Sequence, residues 1–455
     1  MSVYDVHMRV VPPAGTFTHR PYPVGTNVRK ANPMTSPPPT TPFRHRTLPL
    51  AATTTILAAA LFYFGTGYHP IAALTWLAPL PVLLLAPRVS AISAGSTAFL
   101  AYFLGTANNW AFSAHSHDLP LPASMAINVG CGLFFAAAVA LFAALARRGH
   151  GVAAAIATPA VWTSAMYLVA LLNPMGLIEP FATPQADQPL LIQAASLTGI
   201  WGVTFLVLFI PAGIAATTAP AVSTPARWRT AGCTIAIAVI ALVGGAVRLA
   251  ESDDAPRQLA LIAHNHSGWG VDVGTPQGRD LVDEYVAEIS ALPSQINLAV
   301  LPEGAFSADE NSLAALVDPM TRLAQERGIN IVVGMVYHPH GGIEQNAITF
   351  LADGGDPVIY RKHYDRSGQI PGDDLVFPLA QDPGVGVEIC GDLTHVDVSR
   401  EYGTAGARFM AIPASTEGDN GWQLARTGLF RGLENGFAVA WSGRDGELMV
   451  SDCFG

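Results

Sequence analysis

The sequence predicts a multi-span α-helical membrane bundle followed by an α/β domain of layered sheets, and three observations predict it. Half of the 455 residues are hydrophobic and only 13% are charged, against about 25% charged in ordinary soluble domains. Acidic residues are nearly absent between Thr47 and Leu249 and crowd the chain after Glu251. Past that point long apolar runs give way to short strand-like and helix-like segments. Three regions follow. Residues 1–46, rich in Pro, Thr and Arg, are expected to be a disordered tail. Residues 47–249 are expected to form a transmembrane domain of about seven helices, and 250–455 the α/β domain.

The membrane half rests on apolar runs near the length of about 20 residues needed to cross hydrocarbon. They cover 48–66, 70–87, 90–109, 122–146, 151–172, 191–217 and 230–249, the second interrupted by Pro79 and Pro81. Loop charges supply a separate reading. Arg20, Arg29, Lys30, Arg44 and Arg46 precede the first run; Arg88, Arg147, Arg148, Arg227 and Arg229 fall in alternate loops. The intervening loops hold Asp118, Glu179 and Asp187 and no Lys or Arg. The positive-inside rule then places the amino terminus in the cytoplasm. Seven crossings place everything after Leu249 on the outer face of the cell membrane. Arg248, at the outer end of the last run, is expected to snorkel to the interface.

After the polar linker, runs at 258–264, 296–302, 329–337, 346–352, 357–362, 385–390 and 409–415 predict strands. Amphipathic stretches at 277–291, 311–326 and 421–434 predict helices. Strand–helix alternation with a strand pair in the middle predicts an α/β or α-β-β-α layered sheet. Three reactive groups close apolar strands: Glu303 in LAVLPEGAF, Lys362 in VIYRKHY and Cys390 in VGVEICGD. Each alone is an ordinary strand-end residue. Together they supply a nucleophile, a proton acceptor and a cation for a tetrahedral oxyanion, the parts of acyl transfer through a thioester.

Other features exclude rather than assign. A net charge of −10 with no basic stripe excludes nucleic acid as a partner. Cys131, Cys233, Cys390 and Cys453 have no metal-ligand spacing, and Cys131 and Cys233 sit in apolar runs. His264 and His266 are an H-x-H without a third ligand, and His338 and His340 belong to a turn. No cofactor or metal is expected. A transporter is disfavoured because the runs carry almost no charged residues.

LPEGAF, YRKH and EICGD, in that order, resemble the Glu-Lys-Cys triad of the nitrilase (carbon–nitrogen hydrolase) superfamily. Arg431 and Glu434 fill its R-x-x-E-x-G segment. A hydrophobic domain ahead of such a triad resembles the bacterial apolipoprotein N-acyltransferases. The run 188–213, with Gln193, Gly199 and Gly202, is similar to their sixth membrane segment. The resemblance implies a nitrilase-type α-β-β-α sandwich with Glu303, Lys362 and Cys390 catalytic. It also implies Gln369, Asp392, Trp422 and Glu434 in substrate-binding or supporting positions. Gln369 stands where that family has a loop Glu, and Gly391-Asp392 where it has Tyr-Glu. ASTEGDNGW keeps only Trp422 and the layout of another family segment. The sequence offers no membrane-length apolar run after residue 249, so the final membrane span of that family is expected to be missing and the catalytic domain short.

The activity so implied moves a fatty acyl chain from a phospholipid donor, through a Cys thioester, to the amine of a lipoprotein or another amine acceptor at the lipid bilayer. Two alternatives use the same residues: a membrane-anchored amidase acting on an extracellular amide, and a degenerate, non-catalytic relative.

Overall fold

The computed structural model describes residues 44–110, 121–173, 176–177, 179–250, 257–264, 269–340, 342–364, 369–415, 421–444 and 447–455. The expected tail lies outside them up to residue 43, as do Asp118 and His266. Helix α1 (Arg44–Gly65) begins inside the region expected to be tail.

Every apolar run becomes helical. The second breaks into α2 (Ala72–Leu77), α3 (Leu80–Leu85) and a 3-10 turn, Ala86–Arg88. The break falls at Pro79 and Leu80-Pro81, where a missing N–H interrupts the helical ladder. Helices α4 (Ala91–Gly105), α5 (Leu121–Arg147) and α6 (Gly151–Leu172) follow. The sixth run splits into α7 (Pro189–Ile192), α8 (Ala195–Thr198) and α9 (Ile200–Thr217), with Gly199 at φ 65° between the last two. The seventh is α10 (Thr224–Ala250). Among the described residues four helices, α5, α6, α9 and α10, are long and apolar enough to cross a membrane. The other expected spans are shorter or broken.

Ile56, Leu172 and Ile240 are 70%, 81% and 70% exposed, whereas Phe62, Phe135, Trp162 and Phe181 are fully buried. Apolar side chains on both the inside and the outside of a bundle belong to helices solvated by lipid. The loop arginines have a structural task at the helix ends. Arg88 Nη2 donates to the Thr218 carbonyl at 2.8 Å, and Arg227 Nε to that of Val222 at 3.0 Å. Arg147 donates to the carbonyls of Ala86 and Val89. Each guanidinium thereby satisfies carbonyls that a helix end or turn leaves without a partner. Glu179, expected in an outer loop, is instead 1% exposed. Its carboxylate accepts from Trp162 Nε1 at 3.2 Å and from the N–H groups of Phe181 and Ala182, folding the segment back into the bundle.

The second half contains two sheets. In the first, β1 (Ala260–Leu261), β3 (Leu298–Val300), β5 (Asn330–His338), β4 (Phe306–Asp309) and β2 (Val271–Asp272) are parallel. Strands β6 (Glu344–Phe350) and β7 (Val358–Arg361) add on antiparallel. The second sheet runs β11 (Leu448–Ser451), β10 (Ala438–Gly443), β9 (Phe409–Ala414), β8 (Val385–Val387). Strand alternation divides the first sheet between two cores. Leu298, Val300 and Val332 join a core with Val385, Ile412 and Ala440 of the second sheet. Ala299, Leu301, Ile331 and Val333 face Tyr285 of α11 (Pro276–Ala291) and Met320 of α12 (Ala314–Arg327). Helices α13 (Asp397–Thr404) and α14 (Gly421–Asn435) contribute Val398, Tyr402, Leu429 and Phe430 to the second sheet's core. The result is the α-β-β-α sandwich that the sequence predicts.

Specific bonds fasten this sandwich to the helices. Glu434 Oε1 accepts the N–H of Ile200, the first residue of α9, at 2.6 Å. A carboxylate there meets the orphan donors and positive dipole end of the helix. Leu177 N–H donates to the Thr394 carbonyl at 3.1 Å, and Gln423 Nε2 to that of Gly67 at 2.6 Å. Arg248, expected to snorkel, has protein partners: it donates to Gln193 Oε1 and the Cys453 carbonyl, both at 3.2 Å, and lies over the Phe454 ring. These acceptors are at hand because the end of the second half lies against α7 and α10.

Two neighbouring glycines in α10 give a test of how closely that helix packs. A Cβ on Gly245 would lie 2.3 Å from the Leu190 carbonyl oxygen, whereas one on Gly244 meets nothing within 4 Å. Gly245→Ala is expected to cost about 1–3 kcal/mol through displaced backbone. Gly244→Ala should be neutral, or stabilising by up to about 1 kcal/mol through helix propensity. Thermal unfolding of both variants in detergent checks this; equal midpoints would contradict the packing.

Candidate active site

Glu303 stands at a crossing in the first sheet. Strands β3 and β4 both pair with the same edge of β5, one after the other, and Pro302 to Ala305 join them. Leu301 N–H donates to the Val332 carbonyl and Ala305 N–H to that of Gly334, so the chain stays on β5 either side of Glu303. The crossing requires glycine opposite: a Cβ on Gly334 would lie 2.5 Å from Glu303 Cα. Glu303 N–H leaves the first sheet and donates to the Ala414 carbonyl at the end of β9, at 3.1 Å. The side chain is thereby held between the sheets, 1% exposed.

Lys362 follows β7, and Cys390 opens a 3-10 turn, Cys390–Thr394, just past β8. Lys362 Nζ donates to Glu303 Oε1 at 2.7 Å, and Cys390 Sγ to Glu303 Oε2 at 2.9 Å. One carboxylate therefore joins all three. The sulfur also lies 3.7 Å from the Ser415 carbonyl. Gly391 lets the lysine approach, since a Cβ there would be 2.9 Å from Lys362 Cε.

Burial dominates the electrostatics. It pushes the Cys390 thiol well above its ordinary range; the negative Glu303 adds to this and Lys362 opposes it. Burial works against the Lys362 charge, but Glu303, Cys390 and Asp392 outweigh it and hold the ammonium above the usual lysine range. The resting arrangement is a neutral thiol on a carboxylate that is paired to an ammonium. Such a thiol can become a nucleophile by giving its proton to Glu303 as sulfur attacks, with Lys362 beside the charge that develops.

The other expected residues separate into two groups. Asp392 is fully buried behind the three. It accepts from the Tyr360 hydroxyl at 2.7 Å, from Tyr364 N–H at 2.8 Å and from His363 N–H at 3.3 Å, tying the segment after Lys362 to the Cys390 turn. Burial pushes its carboxyl upward, against Lys362 and these donors. Gln369 is half-buried next to Ile370, whose N–H donates to the Ile343 carbonyl. Glu434 and Trp422 lie on α14, towards the helical half. Glu434 bonds to Arg431 and Ile200 N–H, and Arg426 lies over the Trp422 ring. His264 is 3.3 Å from Glu288 and packs edge-on to Tyr285. Among the described residues no cluster of three His, Cys, Asp or Glu side chains could hold a metal.

Sequence reasoning missed two contributors. Gln345 Oε1 accepts from Lys362 Nζ at 2.6 Å, and Glu388, two residues before Cys390, is fully buried on the Ser399 hydroxyl. Burial, then the negative Asp392, pushes the Glu388 carboxyl well upward. Gln345 carried no legible signal, since it lies just ahead of the apolar run 346–352, between Glu344 and Asn346.

A cysteine, a carboxylate and a lysine meeting at strand ends of an α-β-β-α sandwich, itself bonded to apolar helices, define a membrane protein with a nitrilase-type domain. Residues 56–213 match the family model of the apolipoprotein N-acyltransferase N-terminal domain, and residues 258–449 that of the carbon-nitrogen hydrolases. The chain thus joins a region of the apolipoprotein N-acyltransferase N-terminal family to a domain of the carbon-nitrogen hydrolase family. No curated protein matches it. Similar solved structures include amidases from Nesterenkonia. One, from Nesterenkonia AN1 and described as of the nitrilase superfamily, is 20% identical with a TM-score of 0.35, covering 44% of this chain and 86% of its own. Another, from Nesterenkonia sp., is 20% identical with a TM-score of 0.35, covering 45% and 86%.

Two predictions follow from the geometry. Because the Cys390 thiol is raised, its thiolate fraction is small at neutral pH and grows as pH rises. Alkylation of Cys390 by iodoacetamide, followed by peptide mass analysis, is expected to accelerate through pH 9 without a plateau. A plateau near pH 7 would show a preformed thiolate instead. Glu434→Ala should leave Arg431, 2% exposed, without its carboxylate and remove the acceptor of Ile200 N–H. Breaking a buried pair costs about 3–5 kcal/mol, so thermal unfolding in detergent should rank wild type above Glu434→Gln and Glu434→Gln above Glu434→Ala.

Proposed function

We propose that this chain is a membrane acyltransferase that moves a fatty acyl chain from a phospholipid to the amine of a lipoprotein by way of Cys390. One observation carries the reading: the buried carboxylate of Glu303 bonds both the Cys390 thiol and the Lys362 ammonium. It gains weight from the domain in which it occurs, which is bonded to long apolar helices. Substrates held in a bilayer give such helices a purpose that a water-soluble amide would not.

In the first half-reaction Glu303 takes the thiol proton while Cys390 Sγ attacks the donor's ester carbonyl. The oxyanion forms beside Lys362. Its collapse breaks the ester C–O bond, the proton passes from Glu303 to the leaving alkoxide, and a lysophospholipid departs from an acyl-thioester. In the second, the free α-amine attacks the thioester carbonyl and gives its proton to Glu303. The C–S bond then breaks, leaving an amide and returning the proton to sulfur. Neither half-reaction calls on a group beyond these side chains and the two substrates. In the membrane, the reading carries seven crossings, a cytoplasmic amino terminus and a catalytic domain on the outer face of the cell membrane.

Intact-mass analysis of the protein purified from membranes, with Cys390→Ala beside it, tests this reading. The expected result is a fatty-acyl adduct on the wild type that hydroxylamine removes and that the variant lacks. Adding a diacylated lipopeptide with a free amino terminus should discharge the adduct and acylate the peptide. Discharge only by water would turn the reading towards a hydrolase. No adduct under phospholipid loading would overturn lipid acyl transfer.

A further inference from the structure

The proposed acyl transfer needs the Lys362 ammonium to meet an oxyanion, and its immediate surroundings show how that group is aimed. An ammonium has three N–H donors and rotates freely about its last bond. Glu303 Oε1 takes one donor at 2.7 Å, and Gln345 Oε1 takes another at 2.6 Å. With two tetrahedral directions fixed, the third is fixed as well. Gln345 grips the same residue twice, because its backbone carbonyl also accepts Lys362 N–H at 2.9 Å.

We infer that Gln345 is a positioning residue that aims the third Lys362 N–H for the oxyanion formed at Cys390. The inference rests on the acyl-transfer reading and adds a residue to it. A neutral amide suits the task better than a second carboxylate. It holds the nitrogen without adding a further negative charge beside the developing oxyanion. The nitrogen itself lies against the Cys390 turn: a Cβ on Gly391 would be 3.2 Å from Nζ. Gln345 sits on β6, whose next residue Asn346 pairs with Arg361 of β7, so the acceptor is on one strand and the lysine directly follows its hydrogen-bonded neighbour. Positioning from regular strands fixes the donor direction more tightly than a loop could.

The test uses the full chain in detergent and compares two reactions of the same sulfur. Attack on an ester passes through an oxyanion; displacement of iodide from iodoacetamide does not. Gln345→Met keeps the length and removes the acceptor. A hydrogen bond to a charged group corresponds to a rate change of roughly 10- to 100-fold. Acylation of Cys390 by p-nitrophenyl butyrate should therefore fall by that factor in its limiting rate. The ester concentration at half-maximal rate should stay within about two-fold, and alkylation should stay at the wild-type rate. Gln345→Glu, which restores an acceptor, should recover part of the loss.

Equal acylation in wild type and Gln345→Met would overturn the inference. So would a parallel fall in acylation and alkylation, which marks a general disturbance of the site. A wild type acylated by the activated ester but never by phospholipid would sink the lipid reading while leaving the Gln345 comparison decisive. A wild type acylated by neither would overturn both.

Discussion

One buried carboxylate governs the second half of the molecule. Glu303 bonds Lys362 through one oxygen and Cys390 through the other, and an ion taken out of water needs both partners to be tolerated. That requirement reaches backwards into the fold. Glu303 occupies the gap where β3 gives way to β4, Gly334 clears the space on β5, and Ala414 of the other sheet receives its N–H. Neither sheet alone could build the site. The β-β packing is what brings the base from one sheet to the nucleophile of the other.

The same economy links the site to the helices. The turn that begins at Cys390 presents its Leu393 carbonyl to Arg431 Nε at 2.9 Å. Arg431 pairs with Glu434, whose other oxygen holds the first N–H of α9. Thr394, one residue further along the turn, accepts from Leu177 of the helical half. The nucleophile's turn is therefore fixed on one side by its own sheet and on the other by a long apolar helix. Arg431 and Glu434 carry this link from the Cys390 turn to α9. Their pairing matters because α14 places Arg431 and Glu434 where solvent barely reaches.

How much of this was legible in the sequence depends on the range of the cause. The apolar runs are local, and each became helical where it was expected. Pro79 and Pro81 marked one break. Gly199 marked another, which the run length had hidden. Strand ends bearing Glu303, Lys362 and Cys390 were legible because reactive groups interrupt apolar segments. Strand β4 was not, since Phe306–Asp309 has no β-branched residue and pairs only because Glu303 turns the chain back onto β5. The contacts of Glu179 and Arg248 were not legible for a related reason. Their partners, Trp162 for one and Gln193 with Cys453 for the other, lie far along the chain or come from the other half. Charge patterns locate a residue relative to a membrane, and say nothing of acceptors that the fold later brings alongside.

The raised thiol gives the arrangement its chemical character. A cysteine held as a thiolate would already carry its charge before any substrate arrived, and Lys362 would spend its field on sulfur. Here burial favours the neutral thiol, and the ammonium's two hydrogen-bond acceptors are Glu303 and the neutral Gln345. When a carbonyl is attacked, negative charge appears on oxygen at the same moment as Glu303 loses its own by taking the proton. The lysine's field is then transferred from a carboxylate to an oxyanion, with no net charge created in the buried site. Stabilisation that grows as the reaction advances is the kind that accelerates a reaction rather than merely binding its reactants.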